Sequence, residues 1–566
     1  MEVWRINLHE GSFSREATPA AWQRLGGRAL LARILLDEVP PTCDPLGSRN
    51  KLIFAPGLLV GHKLSSCDRI SAGAKSPLTG GVKESNAGGS TGLQLTYLGI
   101  KALIIEGQPS GEEWLILRLD SQGVHFEPAG DVVGKGVYAS AEELRRRYGT
   151  RAAIALIGPA GEMRLTAAGI VNLDKDGVPS RINARGGLGA VMGSKRIKAI
   201  VIDGSQGKAP PIQDEKAFRT AQREFTKALM AHPQTATYRH FSTAGIVHMC
   251  NLFGALPTRN FSQGQFELAE QISGENLRSI LLERGGKADP SHACMVGCGI
   301  RCSNVYADQN GEVIVSPIEY ETIGLMGSNL GIGSLDEIAR LNYKVNDLGL
   351  DSIDTGAALG VAAEAGLMKF GDAQSAHHLL EEVEKATPLG RLIGCGAAVT
   401  GKVLGVRRVP AVKGQAISAY DPRAIKGTGV TYATSPQGAD HTAGLTIRAK
   451  INHLDPQGQV EVSRTAQINM AGYDTLGACI FAGFGFAGAP HTIRDLLNAR
   501  YGWNVDETIL QQLGKETLQL EREFNRRAGF TSAHDRLPEW MTEEALPPNQ
   551  CVFDVDEREM DGLFDG

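Results

Sequence analysis

The chain is short of several things that would define its class at once. Nine cysteines in 566 residues are too few for a disulfide scaffold, and their odd number leaves at least one thiol unpaired, so reduced cysteines are expected. No apolar run approaches the roughly 20 residues needed to cross a bilayer, and MEVWRINLHEG at the N-terminus has no basic stretch followed by an apolar one. No membrane span and a cytoplasmic location are therefore expected. The formal net charge is only -5, and the basic runs (Arg145, Arg146, Arg147; Arg526, Arg527) are short and interleaved with carboxylates, so nucleic acid is not an expected partner. Aromatic residues are scarce at 6%, but hydrophobic (42%) and charged (21%) shares are ordinary, which excludes a disordered chain or a fibre. At roughly 150 residues per domain the length suggests three or four domain-sized units.

Glycine, by contrast, is abundant: 69 residues, about one in eight, against an average near 7%. That content points to many sites of close backbone approach or of turns that glycine alone permits. The first part of the chain holds short β-branched or apolar runs (Lys51–Phe54, Ala102–Glu106, Trp114–Leu119, Ala152–Leu156, Ala199–Ile202) divided by Gly, Pro and Asp, a strand-rich pattern. Gly204–Pro211 (GSQGKAPP) reads as a linker. Beyond it the periodicity is helical over Asp214–Ala231, Asp336–Asp347, Ser375–Lys385, His491–Arg500 and Val505–Arg527, with Ser334 and Glu337 at the spacing of a capping box. A further break is expected near Val409–Gln415. The expected fold is α+β: a β-rich N-terminal cofactor-binding domain (1–207) followed by two mainly α-helical domains (208–412 and 413–566). The acidic run Val552–Gly566 is expected to be a solvated tail rather than a cover for a partner site.

Two segments repeat. Ser85–Gly107 (SNAGGSTGLQLTYLGIKALIIEG) and Asn183–Gly204 (NARGGLGAVMGSKRIKAIVIDG) share a Gly-rich turn, a short helical stretch and a near-identical strand. Each places backbone N–H groups and a helix N-terminus behind a glycine pair, a chemistry suited to phosphate; the plain alternative is a turn joining helix to strand. Lys75 just before one copy and Arg185 within the other offer cations beside the proposed anions. The candidates are Lys75, Asn86, Ala87, Gly88 and Gly89 in the first copy, and Asn183, Ala184, Arg185, Gly186 and Gly187 in the second. A second related pair is NDLGLD (Asn346–Asp351) and DTLGAC (Asp474–Cys479), each with a polar first residue, glycine at the fourth position and an acceptor or thiol at the sixth. The polar side chain can receive ring N–H donors while the glycine turn lets backbone pass close, although each motif alone is also an ordinary helix C-cap. Asn346, Gly349, Leu350, Asp351, Asp474, Gly477 and Ala478 are the candidates here, and together the two pairs suggest a cofactor with two similar halves.

Cys294, Cys298 and Cys302 form CMVGCGIRC, a C-x3-C-x3-C run well suited to iron, and a fourth thiolate from elsewhere would complete a [4Fe–4S] cluster. Structural zinc would show paired C-x2-C hooks or nearby His spacing, which do not accompany these cysteines. A radical-type cluster would need C-x3-C-x2-C. Cys479, at the sixth position of the second motif, is the expected fourth ligand because it would put the cluster beside the cofactor. Cys43, Cys67, Cys250, Cys395 and Cys551 are expected to be small hydrophobes.

Six segments resemble the tungsten-containing aldehyde ferredoxin oxidoreductases: Lys75–Gly89, Ala184–Lys195, the cysteine run, Asn346–Gly356, Ala419–Ser435 and Phe524–Pro538. The resemblance covers nearly the whole chain. It implies a tungsten (or molybdenum) bis-molybdopterin cofactor, Mg2+ bridging the two pterin phosphates, and a [4Fe–4S] cluster as the electron exit. By motif, it puts Asn86 and Ala184 at the phosphates and magnesium, Arg69 between cofactor and cluster, Asn346, Asp351 and Asp474 at the pterin rings, and Cys294, Cys298, Cys302 and Cys479 on the cluster. Asn346 stands where the family usually has Asp and Ala478 where it has Leu. The first cysteine gap is three rather than the common two. Glu337 is followed by Arg340, not by the His of an E-x-x-H pattern that some members use to bind an interface metal.

Oxidising an aldehyde to an acid moves two electrons and adds one oxygen, so the site needs proton handling as well as a redox cofactor. Glu319 is the preferred general base or acid, with Glu321 the competitor because in a strand the two would share a face. His441 and Tyr420 are expected to donate hydrogen bonds to the substrate carbonyl oxygen. The expected activity is oxidation of a small aldehyde, with electrons passing to ferredoxin or to dedicated iron–sulfur or flavin subunits, in a homo-oligomer or hetero-complex. The alternatives are a low-potential reductase subunit like that of benzoyl-CoA reductase, and an electron-transfer subunit of a larger complex.

Overall fold

The computed structural model describes residues 1–564. Its first part consists of two six-stranded sheets. One contains β1 (Glu2–Asn7), β2 (Ser12–Ala17), β3 (Leu52–Pro56), β4 (Ile70–Lys75), β5 (Val82–Ala87) and β6 (Ile100–Glu106), in the order β2-β1-β6-β3-β4-β5. The other contains β7 (Leu115–Asp120), β8 (Gly123–Pro128), β9 (Ala153–Leu156), β10 (Ile170–Leu173), β11 (Pro179–Asn183) and β12 (Ile197–Ile202), in the order β8-β7-β12-β9-β10-β11. Strand for strand the plans coincide. Each opens with a hairpin whose first strand runs parallel to the last strand of its unit, and the remaining pairings are antiparallel. Helices recur at matching places: Gly27–Glu38 and Val137–Tyr148 after the hairpins, Thr91–Tyr97 and Leu188–Ser194 before the last strands. The short sequence repeat is thus the visible end of a duplicated sheet. It is most legible in β6 and β12 because these inner strands are buried along their length and read as unbroken apolar runs.

The edge strands β5 and β11 abut. Asn183, at the end of β11, donates from Nδ2 to the Ser85 carbonyl (2.6 Å) and accepts at Oδ1 from Asn172 (2.8 Å), so one buried amide ties the two sheets together.

From Glu215 the chain is mainly helical. The expected helices appear as Glu215–Ala231, Leu335–Leu348, Ala373–Glu384, His491–Tyr501 and Ile509–Arg527. Asp214 and Ser334 cap two of them, accepting from Ala217 N (2.9 Å) and Glu337 N (3.4 Å), while the Glu337 side chain pairs with Arg340. The helix Gln459–Leu476 packs against Gly27–Glu38 and Ile509–Arg527 at glycines: a Cβ on Gly27 would lie 2.1 Å from Asp474 O, and one on Gly514 1.9 Å from Ile468 O. A three-stranded sheet, β13 (Asp289–His292), β14 (Ser303–Ala307) and β15 (Val313–Val315), carries the cysteine run in the connection between its first two strands.

The acidic C-terminal run is not a free tail. Phe553, Val555, Met560 and Leu563 are buried, Asp554 pairs with Lys426, and Arg536 holds Glu557 (3.1 Å) and Asp561 (2.8 Å). Its apolar residues, interleaved with the acids, decide the packing. Residues 565–566 lie outside the described part.

Candidate active site

Both glycine-rich repeats lead to one cavity. It has a volume of about 370 Å³ and is lined by Asn86, Ala87 and Gly88 from the first repeat and by Arg181, Ile182 and Ala184 at the second. Small-molecule pockets commonly hold ~300–1,000 Å³, so this one is of binding-site size. Strand ends, not helix N-termini, form this cradle. The N–H groups of Ser90 and Gly189, at the starts of the two short helices, are already committed to the Leu173 (3.2 Å) and Ala168 (2.9 Å) carbonyls. Gly89 and Gly187, at φ +99° and +77°, make the turns that bring these contacts about. Arg69 donates to Asn86 at Oδ1 and at the carbonyl oxygen (2.9 Å). Arg181 donates to Ser303 Oγ (3.1 Å) and lies 3.7 Å from Glu319, which leaves its Nε and Nη2 buried without an acceptor. Orphaned guanidinium donors on a cavity wall are what an anionic group would satisfy.

The two six-residue motifs dock on the sheets in equivalent ways. Gly349 (φ +74°) and Gly477 (φ +77°) end their helices in the left-handed conformation. Each packs on a glycine following a strand: a Cβ on Gly158 would lie 2.8 Å from Gly349 N, and one on Gly57 2.0 Å from Gly477 N. Arg69 N donates to Gly477 O (3.1 Å) as Gly169 N does to Gly349 O (2.9 Å), these two residues standing just before β4 and β10. Asn346 and Asp474 consequently both reach the cavity. Their supports differ. Asp474 is 3.2 Å from Arg28, itself paired to Glu521 at 2.8 Å, and burial, then the nearby Glu84, push its carboxyl well above the usual range. Asn346 has the Tyr138 side chain beside it, and Tyr138, like Arg28, is the second residue of its helix. Among the described residues no arginine is hydrogen-bonded to Asn346, so a carboxylate there would lack the counter-charge that Arg28 gives Asp474, and the neutral amide at 346 has a physical reason. Leu350 and Ala478 are fully buried core residues.

At the sixth positions the halves part company. Asp351 caps the helix Ser352–Glu364, accepting from Ile353 N and Asp354 N (3.1 Å each), and lies 3.5 Å from Arg185. Cys479 instead lines the cavity with Cys294 and Cys302. Cys298 Sγ lies 3.4 Å from Ser66 Oγ, and the Ser66 carbonyl accepts from Cys479 N (2.8 Å), so one serine joins the cysteine loop to the second motif. A Cβ on Gly88 would lie 3.2 Å from Cys294 Sγ: cradle and thiols are in contact. Hydrogen bonding from Cys294, with Ser66 assisting against burial, holds Cys298 down to about 5. Burial pushes Cys302 and Cys479 up, so thiolates there call for a cationic partner such as iron.

Glu319 and Glu321 do not lie on a strand. Glu319 is the extended residue before the helix Tyr320–Met326, and Glu321 is in its first turn. They therefore meet different partners. Glu319 accepts from Thr243 and from Ser303 (2.9 Å). Glu321 accepts at Oε2 from Ala419 N (2.8 Å), and its Oε1 is 3.3 Å from His441 Nε2. Tyr420 joins this second group, its ring centroid 5.9 Å from that of His441; burial and the Glu321 charge push its phenol well above the ordinary range and keep it a donor. Ser418, absent from the sequence-based set, fixes the imidazole. Arg185 Nη1 donates to Ser418 Oγ (3.1 Å), leaving the serine hydrogen for His441 Nδ1 at 3.0 Å. The imidazole proton is thereby directed to Nε2, facing Glu321.

Two expected cations act elsewhere. Lys75 Nζ donates to the Pro41 (2.6 Å) and Cys43 (2.7 Å) carbonyls and does not line the cavity, because β4 carries it to the opposite end from Arg69. Arg185 is buried against the Ala416 and Ala439 carbonyls as well as Ser418. Asn183 serves the junction between sheets, as described. Arg181, Thr243, Ser303 and Ser418 were not visible in sequence, since nothing in their local spacing marks them.

Residues 3–204 match the family described as "Aldehyde ferredoxin oxidoreductase, N-terminal domain", and residues 220–562 match "Aldehyde ferredoxin oxidoreductase, domains 2 & 3". The chain is 33% identical to a tungsten-containing aldehyde ferredoxin oxidoreductase of Pyrococcus furiosus and 34% identical to one of Thermococcus kodakarensis, in each case over 96% of this chain and 92% of the relative. It is 29% identical, over 88% of its length and 81% of the relative's, to an "Aliphatic sulfonate oxidoreductase, WOR-like subunit" of Pyrococcus furiosus. Its fold matches that of the active site complex BamBC of benzoyl coenzyme A reductase, with a TM-score of 0.80 at 20% identity over 100% of this chain and 93% of the other. Among the described residues, no helix is long and apolar enough to cross a membrane. The chain belongs to the tungsten-containing aldehyde ferredoxin oxidoreductase family, and it is an oxidoreductase of that fold.

Proposed function

We propose that the protein oxidises aldehydes to carboxylic acids at a tungsten bis-pterin centre and passes the electrons out through a [4Fe–4S] cluster to ferredoxin or to dedicated iron–sulfur subunits. The observation that carries this reading is the convergence of Glu321, His441 and Tyr420 on the cavity that also receives the cradle residues Ala87 and Ala184 and the thiols of Cys294, Cys302 and Cys479. The residues suit such a cofactor. Arg181 has orphaned donors for an anionic group, Asn346 and Asp474 offer ring partners from equivalent motifs, and Arg69 stands on the Asn86 side near Cys479. The Asn86–Gly88 and Ile182–Ala184 backbones would hold the phosphate ends and their Mg2+, and the four cysteines the cluster.

When bound, the cofactor supplies a two-electron sink and Lewis acidity. The chain supplies the rest. His441 Nε2–H and the Tyr420 hydroxyl orient the aldehyde oxygen, and Glu321 Oε1 accepts the proton lost as water adds to the carbonyl carbon. The balance is one aldehyde and one water giving one acid, two protons and two electrons. Glu319, held by Thr243 and Ser303 and near Cys302, stands on the cluster side and sets charge there. Low-potential ring reduction is the second reading, and the acid–base trio is what favours aldehydes over it. Anaerobically purified enzyme, supplied with a panel of small aldehydes and an oxidised viologen, should reduce the dye; protein with tungsten and iron in place that reduces it with no aldehyde would end the proposal.

A further inference from the structure

Arg448 lines the cavity seven positions after His441 and is its unpaired cation. Its guanidinium stacks over the Tyr238 ring at 5.1 Å and lies 5.9 Å from that of Phe484. Among the described residues no carboxylate pairs with it and no acceptor is hydrogen-bonded to it. Burial alone brings its pKa down to about 10, so it keeps its charge at neutral pH. The other cavity arginines each have a polar partner, Arg69 at Asn86 and Arg181 at Ser303 with Glu319 3.7 Å away, and the free donors of Arg181 are the ones assigned above to the cofactor. Tyr238, only 2% exposed, presents a second donor to the same region, a buried hydroxyl without a partner. Leu445, Met470 and Phe481 give the same cavity an apolar lining. A half-buried cation without a counter-charge and an unsatisfied buried hydroxyl are both relieved when a ligand brings an anion. A guanidinium is the group best matched to a planar carboxylate or a sulfonate.

We infer that Arg448 and Tyr238 form an anion subsite, so that the preferred substrate is an aldehyde carrying a carboxylate or sulfonate at its far end, with an apolar spacer between. This rests on the aldehyde oxidation proposed above and adds selectivity to it. The test uses holoenzyme under anaerobic conditions. Viologen reduction is measured with succinic and adipic semialdehydes, with sulfoacetaldehyde, and with butanal and hexanal as uncharged controls. Binding of succinate, which this reaction cannot oxidise, is measured by calorimetry. Wild type should favour a charged over an uncharged aldehyde by at least about tenfold in kcat/KM, as one charge-assisted contact provides. Arg448→Gln should abolish that ratio and weaken succinate binding by about tenfold, Arg448→Lys should restore part of both, and tungsten and pterin contents should match wild type. The charged arms separate the sources: selectivity confined to the carboxylates or to the sulfonate names the anion. No preference in wild type overturns the inference. So does Arg448→Gln protein that has lost tungsten or pterin, because Arg448 would then hold the cofactor. If no aldehyde is oxidised yet succinate binding depends on Arg448, the subsite stands and the aldehyde reading falls.

Discussion

Replacing Glu321 with glutamine separates the two carboxylates that neighbour each other in sequence. Ala419 N must keep an acceptor, so the glutamine oxygen takes its place 2.8 Å away and the amide NH2 turns toward His441. That NH2 cannot accept a proton, and facing Nε2 it drives the imidazole hydrogen to Nδ1, against Ser418. Both the base and the donor aimed at the substrate are lost together. General acid–base groups contribute about 10²–10⁴ in rate, or ~3–5 kcal/mol of barrier, so Glu321→Gln should lower kcat by that factor with tungsten and iron contents unchanged. Glu319→Gln should cost less than about tenfold, because one of the two hydroxyls, which donate to different carboxylate oxygens, can still donate to the amide oxygen while the other turns to accept from the amide NH2, and the residue is not paired with His441. The assay is aldehyde-dependent viologen reduction across pH. An inactive Glu319→Gln beside a near-normal Glu321→Gln would refute the assignment and return the role to Glu319.

Asn346→Asp would bury a carboxylate beside Tyr138 without an arginine, so thermal denaturation should show a loss of stability that grows from pH 5 to pH 8, and adding Tyr138→Arg should recover part of it. Asp68 is raised to about 6, chiefly by burial, so its folded pKa lies above its unfolded one and wild-type stability falls as pH rises through the interval from about 4 to 6. The advantage of Asp68→Asn over wild type in denaturant titrations should therefore increase by roughly 1–1.5 kcal/mol between pH 5 and pH 8, and a constant difference would contradict the sign. Gly88→Ala places a methyl 3.2 Å from Cys294 Sγ, tighter than an ordinary contact, and should alter the iron–sulfur electron paramagnetic resonance signal while leaving the far-ultraviolet circular dichroism unchanged.

Much of this architecture could be read from the chain because its signals are local. The strands β6 and β12 are covered on both faces, and the helices with one polar face, such as Leu335–Leu348, keep their periodicity. The helix Lys426–Thr434 was not anticipated: every residue in it is buried, so no polar face marks its period, and two glycines weaken the helical signal. Ser352–Glu364, buried on nearly all sides and rich in Ala and Gly, was missed for the same reason. The cavity residues divide likewise. Asn346, Asp474 and the cysteines sit in recurring motifs, whereas Arg181, Ser418 and Arg448 acquire their roles from contacts between distant segments. Lys75 shows the converse failure, a cation adjacent in sequence to the cradle but carried away along its strand. The strand assumption about Glu319 and Glu321 failed because a helix starts between them, turning the two carboxylates to different neighbours.

Combined metal and pterin analysis of anaerobically purified protein decides whether one cavity between two copies of a sheet holds the proposed two-part pterin cofactor against an iron–sulfur cluster. About two pterins are expected for each tungsten, with about four irons per chain, as a cubane on four thiolates requires. Full iron with neither tungsten nor molybdenum, or a metal accompanied by a single pterin, would contradict that arrangement.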